Sequence, residues 1–79
     1  MPRKTLYDFK LLSDHEQYDL VFTEGLFIGA LIEENTRYAL YVIDLFFVEI
    51  EYDVARNRIG GKTSFVTGNK LNSYSRLMD

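Results

Sequence analysis

The stretch "FFVEIEYDVARNRIGGKTSF", residues 46–65, decides the fold. Its first seven residues alternate. Phe46, Val48, Ile50 and Tyr52 fall on one side, and Phe47, Glu49 and Glu51 on the other. That period of two is the mark of a strand with one face in a core. Residues 54–57 read as a loop, and residues 58–66 are rich in β-formers, so a return strand is expected there. A four-residue loop sets the pairing. Asp53 lies opposite Arg58, Glu51 opposite Gly60, Glu49 opposite Lys62 and Phe47 opposite Ser64. On the other face Tyr52 meets Ile59, Ile50 meets Gly61, Val48 meets Thr63 and Phe46 meets Phe65. Opposite-charge pairs on one face and apolar pairs on the other would each contribute roughly 0.2–1 kcal/mol. The doublet Gly60-Gly61 then marks a bulge, or a place where a helix comes close to the sheet.

The same stretch holds Gly61-Lys62-Thr63, the last three letters of a phosphate-binding loop. That loop needs a glycine five residues before Gly61 and a helix right after the lysine. Arg56 occupies the first position, and Thr63, Phe65, Val66 and Thr67 favour strand. No nucleotide site is expected, and Lys62 is assigned as the partner of Glu49.

Working outward, "LFIGALIEE" (residues 26–34) and "RYALYVI" (residues 37–43) read as two more strands. Asn35-Thr36 is the turn between them, and Asp44 begins a second tight turn before residue 46. Short strands joined by short loops make an antiparallel meander. Upstream, Ser13-Asp14-His15-Glu16 matches the S-x-x-E capping box, and Tyr18, Val21 and Phe22 form an apolar stripe. Gly25 stands at the position of a C-terminal glycine cap, so a helix is expected over residues 14–24. Residues 1–12 fit either a turn of helix or an extended arm. Leu71, Tyr74 and Met78 fall at helical spacing near the end, which predicts a short C-terminal helix. The expected fold is one α+β domain over residues 1–79: an N-terminal helix on a four-stranded antiparallel meander, with a short C-terminal helix.

The composition limits what this domain can do. The chain has 79 residues and no cysteine, so neither a disulfide nor a thiolate metal site can stabilise it. Six Tyr and six Phe supply large apolar surfaces for a small core. No uncharged apolar run approaches bilayer length and no targeting segment is evident, so a cytoplasmic protein is expected. His15, the one histidine, falls in the first turn of a helix and is expected to face solvent. Glu49, Glu51 and Asp53 share a strand with basic residues facing them, which reads as a neutralised surface. Neither catalysis nor a cofactor or metal is expected.

Two binding readings follow. Net charge is −3, but residues 1–53 carry four Lys/Arg against eleven Asp/Glu, and residues 54–79 carry five Lys/Arg against one Asp. Arg56, Arg58, Lys62, Lys70 and Arg76 could therefore contact phosphates while sheet aromatics stack bases. The negative total and the acidic neighbouring strand count against nucleic acid. The stronger reading is protein association. The first strand is apolar on both faces, with Phe27 and Leu31 on one and Ile28 and Ile32 on the other. A two-residue turn at Asp44-Leu45 puts Ala39, Tyr41 and Ile43 with Phe46, and leaves Tyr38, Leu40 and Val42 with Phe47. One helix covers one face only, so the second face requires the C-terminal helix, the N-terminal arm or another chain. Tyr38, Leu40, Val42 and Phe47 are the candidate interface, with a second copy or another protein as partner.

"YDFKLLSDHEQYDLVFTEG", "YALYVID", "FFVEIEYD" and "TSFVTG" resemble short bacterial proteins of about this length that have no assigned activity. The resemblance implies a helix followed by a sheet meander. It also implies a glycine after the aspartate of the second turn, where this chain has Leu45.

Overall fold

The computed structural model describes residues 5–66. Two helices precede a four-stranded antiparallel sheet in the order β1-β2-β3-β4, so the fold is α+β with a meander. The elements are α1 (Leu6–Lys10), α2 (Asp14–Glu24), β1 (Leu26–Glu33), β2 (Thr36–Ile43), β3 (Phe46–Asp53) and β4 (Arg58–Phe65). The expected C-terminal helix, with Leu71, Tyr74 and Met78, lies outside the described residues.

Both helices start on capping boxes. Ser13 accepts from the Glu16 amide at 3.2 Å, and the Glu16 carboxylate accepts from the Ser13 amide at 3.0 Å. That second bond holds the Glu16 carboxyl below its ordinary value. A lowered carboxyl pKa stabilises the fold above the unfolded value, and the benefit disappears as the pH falls through the folded one. Ser13→Ala should cost about 1 kcal/mol. Urea denaturation checks this, and a variant unfolding with the parent would remove Ser13 from the cap. Thr5 and Asp8 form a second box, which starts α1, so residues 6–10 take the helical one of the two readings. The Gln17 amide nitrogen donates to the carbonyls of Phe9 at 2.9 Å and Leu12 at 3.3 Å, so α2 satisfies the open end of α1.

Gly25 ends α2, but not as a left-handed cap. Its backbone is extended, at φ −72° and ψ 144°. The need for glycine is spatial, because a Cβ there would lie 2.4 Å from the Val21 carbonyl oxygen.

One turn lies one residue earlier than the sequence suggested. The β1–β2 turn is Glu34-Asn35 rather than Asn35-Thr36, since Thr36 already pairs with Glu33. The second turn is Asp44-Leu45, as expected from the sequence. Asp44 itself takes the left-handed conformation, at φ 49°. Leu45 therefore needs no positive φ, and the missing glycine is accommodated. Asn57 closes the β3–β4 loop at φ 54°, and Asp53 accepts from the Arg56 amide at 3.1 Å within it.

The core lies between the helices and one face of the sheet. Phe9, Leu20 and Val21 from the helices meet Ile43, Phe46, Val48 and Ile50, with Leu6, Leu12, Tyr18 and Tyr41 at its margin. The rings of Phe9 and Phe46 stand 5.2 Å apart. Strand β3 is the centre of this core, as its alternation predicts.

Two irregularities change the pairing. On β4, Tyr52 and Asp53 face Ile59 and Arg58, but Glu51 faces Gly61, so Gly60 is an extra residue. This is the expected bulge, and it moves every later residue of β4 by one position. Lys62 lies opposite Ile50, and Glu49 lies opposite Thr63. The Glu49–Lys62 pair is therefore not formed. On β1, Phe27 faces Tyr41 while Gly29 faces Leu40, so Ile28 is the extra residue. Phe27 then shares the helix-bearing face with Ala30 and Ile32, and Leu31 points to the second face. The unbroken alternation that placed Phe27 with Leu31 fails at Ile28.

Candidate functional site

The bulge gives Lys62 a structural partner set. Its ammonium donates to the Asp14 carboxylate in the first turn of α2 and sits 4.4 Å from the centre of the Tyr18 ring. The lysine side chain is only 13% exposed, against 77% for Asp14. A cation over an aromatic face beside a carboxylate explains why a charged residue is tolerated under the helix. The strand runs on through Phe65, so no helix follows Gly61-Lys62-Thr63.

The other basic candidates do not join Lys62. Arg58 pairs with Asp53 in register, on the face away from the helices. Arg56 lies in the β3–β4 loop, where its Nε is 3.8 Å from Asp53. Both line a shallow polar hollow of about 390 Å³ with Thr36, Glu51, Asp53, Ile59 and Gly60. Each arginine there has carboxylates beside it, so no uniformly basic groove forms among the described residues. Lys70 and Arg76 lie outside the described residues. His15 is exposed, and no group of His, Asp or Glu side chains among the described residues is arranged to hold a metal.

Tyr38, Leu40, Val42 and Phe47 do share the second face. Val42 is directly opposite Phe47, and Tyr38 and Leu40 are opposite Glu51 and Glu49. They are not an open surface, however. Leu40 has 0% exposure, Glu49 has 7%, and Tyr38, Val42 and Phe47 are half-buried. The Phe47 ring stacks on Phe65 at 5.6 Å, a contact created by the one-residue shift on β4. Desolvation pushes the Tyr38 phenol above its ordinary value, and Glu51, Glu33 and Glu49 add to the shift.

The open apolar surface is at the other end of the sheet. Leu26, Phe27 and Ile32 on β1 are 66%, 55% and 69% exposed, and Phe22 on α2 is 52% exposed. Leu26 lies on the second face, opposite Val42, while Phe22 and Phe27 are joined on the helix-bearing face. The Tyr41 ring takes an edge-on contact from Phe22 at 5.9 Å and another from Phe27 at 5.7 Å, and Tyr18 stacks on Phe22. Strand β1 is an edge strand, and its only charge is Glu33 at its end. The sequence already suggested association from doubly apolar strands. It pointed to Tyr38, Leu40, Val42 and Phe47 rather than to this margin, because the bulge at Ile28 decides which β1 residues meet the helix.

Comparisons with protein-family models, curated proteins and solved structures found no match to this chain. Among the described residues, no helix is long and apolar enough to cross a membrane.

Proposed function

We propose that the chain is a small non-enzymatic protein-interaction module that associates with itself. The observation that carries this reading is the exposed apolar margin of Phe22, Phe27 and Ile32 on the helix-bearing side of β1, at the edge of the described sheet. Isolated exposed apolar residues are ordinary on any protein, but a group of them at a sheet edge, with Phe22 and Phe27 both packed on Tyr41, marks an association surface. A 79-residue chain without disulfides also gains stability by burying surface against a copy of itself. Two-fold pairs are the commonest such assemblies.

Sedimentation equilibrium tests the proposal. The expected mass at high micromolar concentration is twice the 9.3 kDa of the chain. A single species near 9.3 kDa at that concentration would contradict it.

A further inference from the structure

We infer that β1 is the joint: two copies pair their β1 strands antiparallel about a two-fold axis at Leu31, making one continuous eight-stranded sheet. This rests on the self-association proposed above and names the surface that does it.

The two edges of the sheet differ in how they are protected. Strand β4 carries Arg58, Lys62 and the Gly60 bulge, all features that discourage another strand from adding. Strand β1 has a bulge only near its start. From Gly29 to Glu33 its pairing with β2 is regular, and no described strand occupies its outer side. Its outward amides and carbonyls, unpaired among the described strands, are a template for one more strand.

A second copy of β1 fits that template. With the axis at Leu31, Ala30 faces Ile32 of the second copy, and Gly29 faces Glu33 of the second copy. Ala30 and Ile32 both lie on the helix-bearing face, opposite Ala39 and Arg37. Gly29, Leu31 and Glu33 all lie on the second face, opposite Leu40, Tyr38 and Thr36. Antiparallel pairing about any one residue keeps the faces matched, and the axis falls at Leu31 because both bulges at Ile28 then lie outside the joint. The exposed Ile32 gains a neighbour on its open side. The one charged residue of the strand meets a glycine rather than a side chain. The two Glu33 positions lie roughly 13 Å apart along the joint, beyond a Debye length of about 8–10 Å.

The absence of cysteine makes a direct test possible. Leu31→Cys should give a disulfide-linked dimer under mild oxidation, because it places two thiols opposite each other across the axis. Val54→Cys, in the exposed β3–β4 loop, should not. Ile32→Lys should shift the sedimentation profile from dimer to monomer while the chain keeps its folded circular dichroism spectrum, since Ile32 is 69% exposed. A dimer that persists in Ile32→Lys, with no cross-link in Leu31→Cys, would overturn β1 as the joint and leave self-association standing on another surface. A monomeric wild type would overturn both.

Discussion

Leu40→Glu is expected to abolish the folded state. Leu40 has 0% exposure, although it faces away from the helices. Removing its side chain alone would cost roughly 2–5 kcal/mol. The substitution also puts a carboxylate directly opposite Glu49, itself only 7% exposed. Burying a charge without a partner adds several kcal/mol more. Together these exceed a plausible share of the roughly 5–15 kcal/mol that stabilises a domain. Circular dichroism at room temperature should show an unfolded chain, while Leu40→Ala should fold with a lowered melting temperature. A Leu40→Glu protein that stays folded and melts with the parent would mean that Leu40 is accessible. It would also restore the second face as an open surface.

Deletion of Thr63 is expected to be the next most damaging change. The bulge at Gly60 sets Lys62 opposite Ile50 and Phe65 opposite Phe47 in one hairpin. With Thr63 removed, the strand must choose between these two pairs, because a shift of one residue exchanges the two faces. Keeping the bulge holds Lys62 in place but separates Phe65 from Phe47. Erasing the bulge holds Phe65 in place but turns Lys62 away from Asp14 and Tyr18. Either way the loss is about 2–4 kcal/mol, in the range of a broken network rather than a surface change. Deletion of Gly60 is the control. It removes the extra residue of the bulge and leaves every pair of the hairpin in register. It should cost at most about 1 kcal/mol. Urea denaturation of the parent and the two deletions decides the matter, and equal midpoints for the Thr63 deletion and the parent would refute the register given to β4.

The elements were legible in the sequence because their signals are local. The Ser13–Glu16 box and the residues after it mark α2, whose range of 14–24 is the expected one. Alternation in β3 identified the buried row Phe46, Val48 and Ile50. The small cap at Thr5 and Asp8 was equally local, and α1 could have been read from it. The pairing between strands was less legible. A bulge inserts one residue at a position that the local pattern only hints at, and each insertion reverses the faces beyond it. Gly60-Gly61 announced such an insertion, but whether Gly60 fell inside the ladder determined whether Lys62 met Glu49 or Asp14. Ile28 gave no signal at all, since an isoleucine is at home in any strand. The candidate surface moved for the same reason. The second face was correctly composed from Tyr38, Leu40, Val42 and Phe47, but composition does not reveal exposure. The open margin at Phe22, Phe27 and Ile32 became visible only once β1 was aligned to β2.

The central claim, that β1 joins two copies, is tested most directly by amide hydrogen exchange at low and high protein concentration. The edge amides within residues 29–33 should exchange more slowly at the higher concentration, because association gives them carbonyl partners. Those of β4 should exchange at the same rate in both. Unchanged rates in β1, at concentrations where the protein sediments as a dimer, would contradict the account.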